Sequence, residues 1–213
     1  MTLLRVDASI QGPRSASSAL ADQVMAEFSA ARPDEKVVTR HIGSEPLPSE
    51  AWATAIGASF TPEAERTPEQ TAALELAQAV ATELSEADAA VLALPLYNWG
   101  VSQHVKTWID LAIAGAPHGA RLLEGKPVVL LTTRGGAYGP GTPKEGWDHS
   151  IDYLRRVIAD VWGADLTVIE RELTLVGVNP ALDPFAETAA LMKKGAEEAA
   201  TEAGRSLASK LAA

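Results

Sequence analysis

The chain is predicted to be an α/β protein: a doubly wound, five-stranded parallel sheet with helices on both faces. Two observations carry this. Short apolar runs, too short for helices, alternate along the sequence with longer stretches whose apolar residues recur at helical spacing. Loops rich in glycine, hydroxyls or aromatics follow the first, third and fourth runs, at the strand ends where sheets of this kind bind ligands.

Leu3–Asp7 is the expected first strand, and a helix with Leu20, Val24 and Phe28 on one face follows it. Lys36–Ile42 is the second strand. Residues 44–67, with Pro46, Pro48, Gly57 and Pro62, predict a long excursion holding at most a short helix around Glu50–Ala58. Pro68–Leu84 is a helix carrying Ala73, Leu76, Ala77, Val80 and Leu84. Ala89–Leu94 is the third strand, closed by Pro95, whose ring nitrogen cannot donate to a ladder. Val105, Trp108, Ile109, Ala112 and Ile113 then mark an apolar helix stripe. Pro127–Thr133 is the fourth strand. Ile151, Leu154, Ile158, Val161 and Trp162 define a helix, Leu166–Leu173 is the fifth strand, and an Ala-rich helix from about Pro184 closes the chain. No repeat or linker interrupts this order, so residues 1–213 are expected to form a single domain.

The 213 residues, 46% hydrophobic and 22% charged, suffice for a core that needs no staples. There is no cysteine, which excludes disulfides, thiolate nucleophiles and cysteine-ligated metals, and agrees with a cytoplasmic location. His41, His104, His118 and His149 never fall at i, i+3 or i, i+4, so no metal site is expected. A net charge of −10 and a pI near 4.9 argue against nucleic acid or an anionic membrane as partner. Met-Thr-Leu-Leu-Arg-Val-Asp reads as a strand rather than a signal peptide, and no run reaches the length of a membrane span.

Three loops carry the candidate chemistry. After strand one, Ser9, Ser15, Ala16 and Ser17 lie where a helix begins, so hydroxyls and free amides can surround a phosphate, with Arg14 as counter-charge. An N-cap role for Ser15 or Ser17 is the simpler alternative. After strand three, Leu96-Tyr97-Asn98-Trp99-Gly100 offers flat aromatic surfaces and an amide to a planar ligand. After strand four, Thr133-Arg134-Gly135-Gly136 offers a guanidinium and two glycines that permit positive φ or close backbone approach. Neither Gly-x-Gly-x-x-Gly nor an ATP-binding loop is present, and Gly125-Lys126 precedes a strand rather than a helix.

Taken with Lys106-Thr-Trp-Ile-Asp110, these loops resemble the FMN-dependent NADH azoreductases, also described as NADH:quinone oxidoreductases. The resemblance implies a flavodoxin-like fold of strand order 2-1-3-4-5, one FMN per subunit and a homodimer. It also implies NADH or NADPH as donor, and a quinone or azo compound as acceptor in a ping-pong cycle. On this pattern Ser9, Ser15, Ala16 and Ser17 hold the FMN phosphate, Leu96, Tyr97, Asn98 and Trp99 lie along the ring, and Thr133, Arg134, Gly135 and Gly136 contact its other edge. No side chain need act as nucleophile or base, because the flavin carries the chemistry; Asn98, Arg134 and His118 are candidates for support. The chain departs from the family at Trp99, where phenylalanine is usual, and in a short 115–126 connection whose one ring is that of His118. An FMN electron carrier is the alternative reading; a phosphodiesterase-like hydrolase is disfavoured, since neither a metal cluster nor a Ser-His-Asp arrangement is visible.

Overall fold

The structure is a computed structural model that describes residues 1–212; Ala213, the last residue of the expected domain, lies outside the described residues. Strands β1 (Thr2–Asp7), β2 (Lys36–His41), β3 (Ala89–Ala93), β4 (Pro127–Thr133) and β5 (Asp165–Arg171) form one sheet. All its pairs are parallel and its order is β2-β1-β3-β4-β5, as expected. Helices α1 (Ala16–Ala31) and α6 (Ala186–Lys210) cover one face. On the other lie α3 (Pro68–Glu86), α4 (Gln103–Gly115) and α5 (Ile151–Arg155), while α2 (Ala51–Ser59) packs outside against α3 and α4.

The unbroken apolar runs are explained by this double cover. Alternate residues of a strand point to opposite faces, and in β3 Ala89, Val91 and Ala93 join the core under α1 and α6, while Ala90 and Leu92 join the core under α3 and α4. β2, at the edge, carries Lys36 and Arg40, charges that discourage pairing with another chain. The two large buried indoles, Trp108 and Trp162, meet edge to face at 5.5 Å within the core.

Three elements differ from expectation. In α4 Leu111 is buried and Ile113 is half exposed, because α2 packs beside α3 and supplies a second apolar neighbour. The helix at Ile151 changes to a π turn over Arg156–Val161, so Val157, Ile158 and Trp162 turn inward and Val161 is left exposed. β5 ends at Arg171, and the chain then turns at Leu173 with φ +57°; Pro184 sits in a 3-10 segment ahead of α6 rather than in the helix itself. No helix among the described residues is long and apolar enough to cross a membrane.

Candidate functional site

The loops after β1, β3 and β4 converge at the carboxyl edge of the sheet, beside the switch in strand order between β1 and β3. They enclose a cleft of about 460 Å³.

At one end, Ser15 is the N-cap of α1: its Oγ accepts from the Ser18 amide at 3.0 Å and lies 3.2 Å from the Ser17 Oγ. Capping and cleft lining therefore coexist in one residue. The amides of Ala16 and Ser17, in the helix's first turn, have no intrahelical acceptor. Ser9 ties this loop to the next: its Oγ accepts from the Gln11 amide and lies 3.2 Å from the Tyr97 hydroxyl. Arg14 lines the same end.

The other end begins with a two-residue turn. Tyr97 and Gly100 exchange both backbone hydrogen bonds, at 3.2 and 3.0 Å, around Asn98 at φ +47° and Trp99 at φ +64°. Asparagine tolerates that conformation; tryptophan is rarely found in it. Opposite, the carbonyls of Arg134, Gly135 and Gly136 accept from Thr174, Leu175 and Leu173 respectively. Neither glycine has positive φ, so what they provide is room rather than a left-handed turn. A Cβ on Gly135 would press on Leu175, at 2.6 Å, and one on Gly136 would point toward the Lys144 Nζ, at 3.4 Å. No protein acceptor among the described residues takes the amides of Asn98, Gly135 or Gly136, which leaves donors free for a ligand.

Ser9, Ser15, Ala16, Ser17, Leu96, Tyr97, Asn98, Thr133, Gly135 and Gly136 are thus brought together. Three expected residues are placed otherwise. The Trp99 indole faces Trp147 in an adjoining groove. His118 is exposed in the 115–126 connection and lines neither the cleft nor that groove.

The Arg134 guanidinium, expected to offset charge in the cleft, is buried among carboxylates: Asp148 at 2.5 Å, Glu170 at 2.6 Å and Glu172 at 3.4 Å. Burial works against its charge, yet hydrogen bonds to Asp148 and Glu170 outweigh this and hold it above the usual range. It is a structural hub. Asp148 also accepts from the Ser150 and Ile151 amides at the start of α5, and Glu172 accepts from the Tyr138 amide.

The cleft also contains Gln11, Pro95, Tyr138, Lys144, Thr174, Leu175 and Val178, none of which was a sequence candidate for the site. Lys144 has a partial signal, a lysine in a Gly/Pro-rich loop after β4; its Nζ stands 5.3 Å from the Tyr138 ring centroid. Residues 173–178 follow β5 and carry no pattern pointing to a ligand.

A hydroxyl-lined helix terminus joined to a flat, peptide-walled cleft at the β1/β3 switch is the binding arrangement of flavodoxin-type mononucleotide proteins. The sequence profile described as flavodoxin-like fold matches residues 1–197, and the chain belongs to that family. A protein of Frankia alni named FMN-dependent NADH:quinone oxidoreductase is 39% identical over 87% of this chain and 90% of its own length. One of Streptomyces avermitilis with the same name is 33% identical over 100% of this chain and 99% of its own. Among solved structures, an azoreductase from Bacillus anthracis superposes with a TM-score of 0.77 over 97% of this chain and 99% of its own, at 22% identity. A second from that organism, an FMN-dependent NADH-azoreductase in complex with FMN, gives 0.72 over 96% and 100%, at 18% identity.

Proposed function

We propose that this chain is an FMN-dependent NAD(P)H oxidoreductase that reduces quinones or azo compounds. One observation carries the reading: on a chain of net charge −10, the cleft is lined by no carboxylate among the described residues and by two cations, Arg14 and Lys144. A concave site that presents two cations and no carboxylate on an acidic protein is suited to an anionic ligand. The donor set fits FMN, with hydroxyls and helix amides at one end for a phosphate and peptides with apolar Leu96 at the other for a flat ring.

When bound, FMN would supply the two-electron redox chemistry between NADH or NADPH and the acceptor. The chain's part is binding, orientation and electrostatics. Ser15, Ala16 and Ser17 hold the phosphate through hydroxyls and amides, with Ser9 bracing the loop against Tyr97. Leu96, Tyr97 and Asn98 would hold the ring from one wall of the cleft and Thr133, Gly135 and Gly136 from the other, with the free Asn98 amide available to it. Lys144 supplies the positive charge that Arg134, already neutralised, cannot.

Residues 1–213 then act as one FMN-binding domain, and the cysteine-free composition is consistent with work in the cytoplasm. We place the homodimer contact on the outer side of α2, where Trp52, Ile56 and Phe60, the last 85% exposed, form one apolar stripe at i, i+4 and i+8.

An anaerobic visible spectrum of the FMN-reconstituted protein tests the reading. NADH should bleach the flavin band and benzoquinone restore it. Bound flavin that NADH cannot reduce would replace this reading with an electron carrier, and absence of FMN binding would end it.

A further inference from the structure

The sheet has two open edges, β2 and β5, and they differ in charge. β2 holds Lys36, Arg40 and His41 and no carboxylate, so two copies of it laid side by side bring cation to cation. β5 reads Asp-Leu-Thr-Val-Ile-Glu-Arg, with an acid at its first residue and a base at its last. We propose that β5 is the edge at which a second copy of this chain pairs antiparallel, extending the sheet to ten strands about a two-fold axis at Val168. This contact is separate from the α2 stripe and does not depend on flavin.

The backbone groups are placed for it. The Asp165 amide donates to the Lys126 carbonyl at 2.9 Å and the Arg171 carbonyl accepts from the Arg134 amide at 2.8 Å, so the odd-numbered residues of β5 turn their peptide groups toward β4. Those of Leu166, Val168 and Glu170 therefore face away from the sheet, and no other backbone group among the described residues takes them. An antiparallel copy centred on Val168 bonds these residues alone: Val168 to its own counterpart, and Leu166 to the partner's Glu170.

The same register matches the side chains. Exposed Asp165 falls opposite the partner's Arg171, a cation whose buried Nε has no hydrogen-bond partner and whose charge is disfavoured by burial, with Glu197 opposing this only through space. Thr167, also exposed, falls opposite the partner's Ile169. Glu170, which meets Leu166, is already neutralised by Arg134 and Arg155. Sliding the copy by two residues either way keeps backbone bonds but parts Asp165 from Arg171. Space for the copy is present: grooves of about 310 and 510 Å³ run between this edge and α6 and meet at Val168, Ile169 and Ala199, level with the axis.

Sedimentation equilibrium of the chain, with and without Thr167→Lys, tests the proposal. The Thr167 peptide is held by β4 and its side chain is exposed, so lysine leaves the fold intact and sets like charges beside the axis. The particle mass should halve in the variant: from four to two times the 22.4 kDa chain if the α2 contact also forms, and from two to one if it does not. Asp165→Arg should act in the same way, and adding Arg171→Asp should restore the wild-type mass, because the pair is recreated with its signs exchanged. The amides of Leu166, Val168 and Glu170 should exchange with deuterium about tenfold more slowly in the wild type than in Thr167→Lys. An unchanged mass in Thr167→Lys, a monomeric wild type, equal exchange at those amides, or a folded double variant that stays dissociated overturns the proposal. A wild type that pairs as described but takes up no FMN upholds it and removes only the oxidoreductase reading.

Discussion

The two ends of the cleft are built by different means. The hydroxyl end is largely local: Ser9 accepts from Gln11, Ser15 caps α1 by accepting from the Ser18 amide and touches Ser17, a single helix start organises the loop, and the Tyr97 hydroxyl alone ties it to the next loop. The ring end is composite, because Tyr97–Gly100, Gly135–Gly136, Lys144 and Thr174–Leu175 come from segments far apart and are held by long-range bonds, many of them through Arg134. The difference teaches where damage should spread. A change at the local end should disturb ligand binding with little else, and one in the composite end should cost stability as well.

Ser17→Asp should have the largest effect. Ser17 is 1% exposed beside the Ser15 hydroxyl, so a carboxylate there faces a phosphate without solvent to screen it. FMN affinity should fall by about three orders of magnitude, about 4 kcal/mol, measured by fluorescence titration. Ser17→Ala removes one hydrogen bond and should cost about 1 kcal/mol. Unchanged FMN affinity in Ser17→Asp would remove Ser17 from the cradle and with it the idea that this end is a phosphate site.

Arg134→Met strikes the composite end. It leaves Asp148 and Glu172, each largely buried, without their cation, and breaking such a pair costs about 3 kcal/mol. The loss should appear in the urea midpoint with unchanged slope. Arg134→Lys should recover only part of it, since an ammonium cannot reproduce the fork that reaches Asp148 and Glu170 together. A stable Arg134→Met protein whose only defect was in flavin reduction would return the guanidinium to the direct role the sequence suggested.

The adjacent glycines separate binding from packing within one loop. The Cβ of Gly136→Val points toward Lys144 and Tyr138 in the cleft, so FMN affinity should drop about tenfold with a small change in stability. In Gly135→Val the added carbon meets Leu175 instead, an overpacking worth about 1–3 kcal/mol of stability. Equal effects on binding and stability at both positions would mean that the loop responds as one unit.

The same division explains what could be read from the chain. The strand Ala89–Leu94 and most of Pro127–Thr133 are legible because double burial writes itself as an apolar run, and the serine loop because its chemistry is contiguous. In α4 the stripe predicts Ile113 inside and is silent on Leu111, whose burial depends on α2, which covers a side of α4 that no periodicity describes. Arg134 reads as a ligand for anions because its three carboxylates, at 148, 170 and 172, lie at the far end of its own loop and at the end of another strand. Trp147 carried no signal at all, since its meaning lies in a ring 6.2 Å away and 48 positions earlier in the chain.

The smallest effect should come from Trp99→Gly. At φ +64° a tryptophan holds a conformation that costs an L-residue about 1 kcal/mol and glycine almost nothing, so the turn itself gains from the change. Against this stands the loss of packing on Trp147, which for a side chain 48% exposed is of similar size. The unfolding free energy should therefore move by less than about 1 kcal/mol. A residue whose removal leaves stability unchanged while its backbone is strained is held there by something other than folding. If Trp99→Gly instead lost several kcal/mol in a urea titration, the indole would be a structural support of the turn, and the strain would need no functional account.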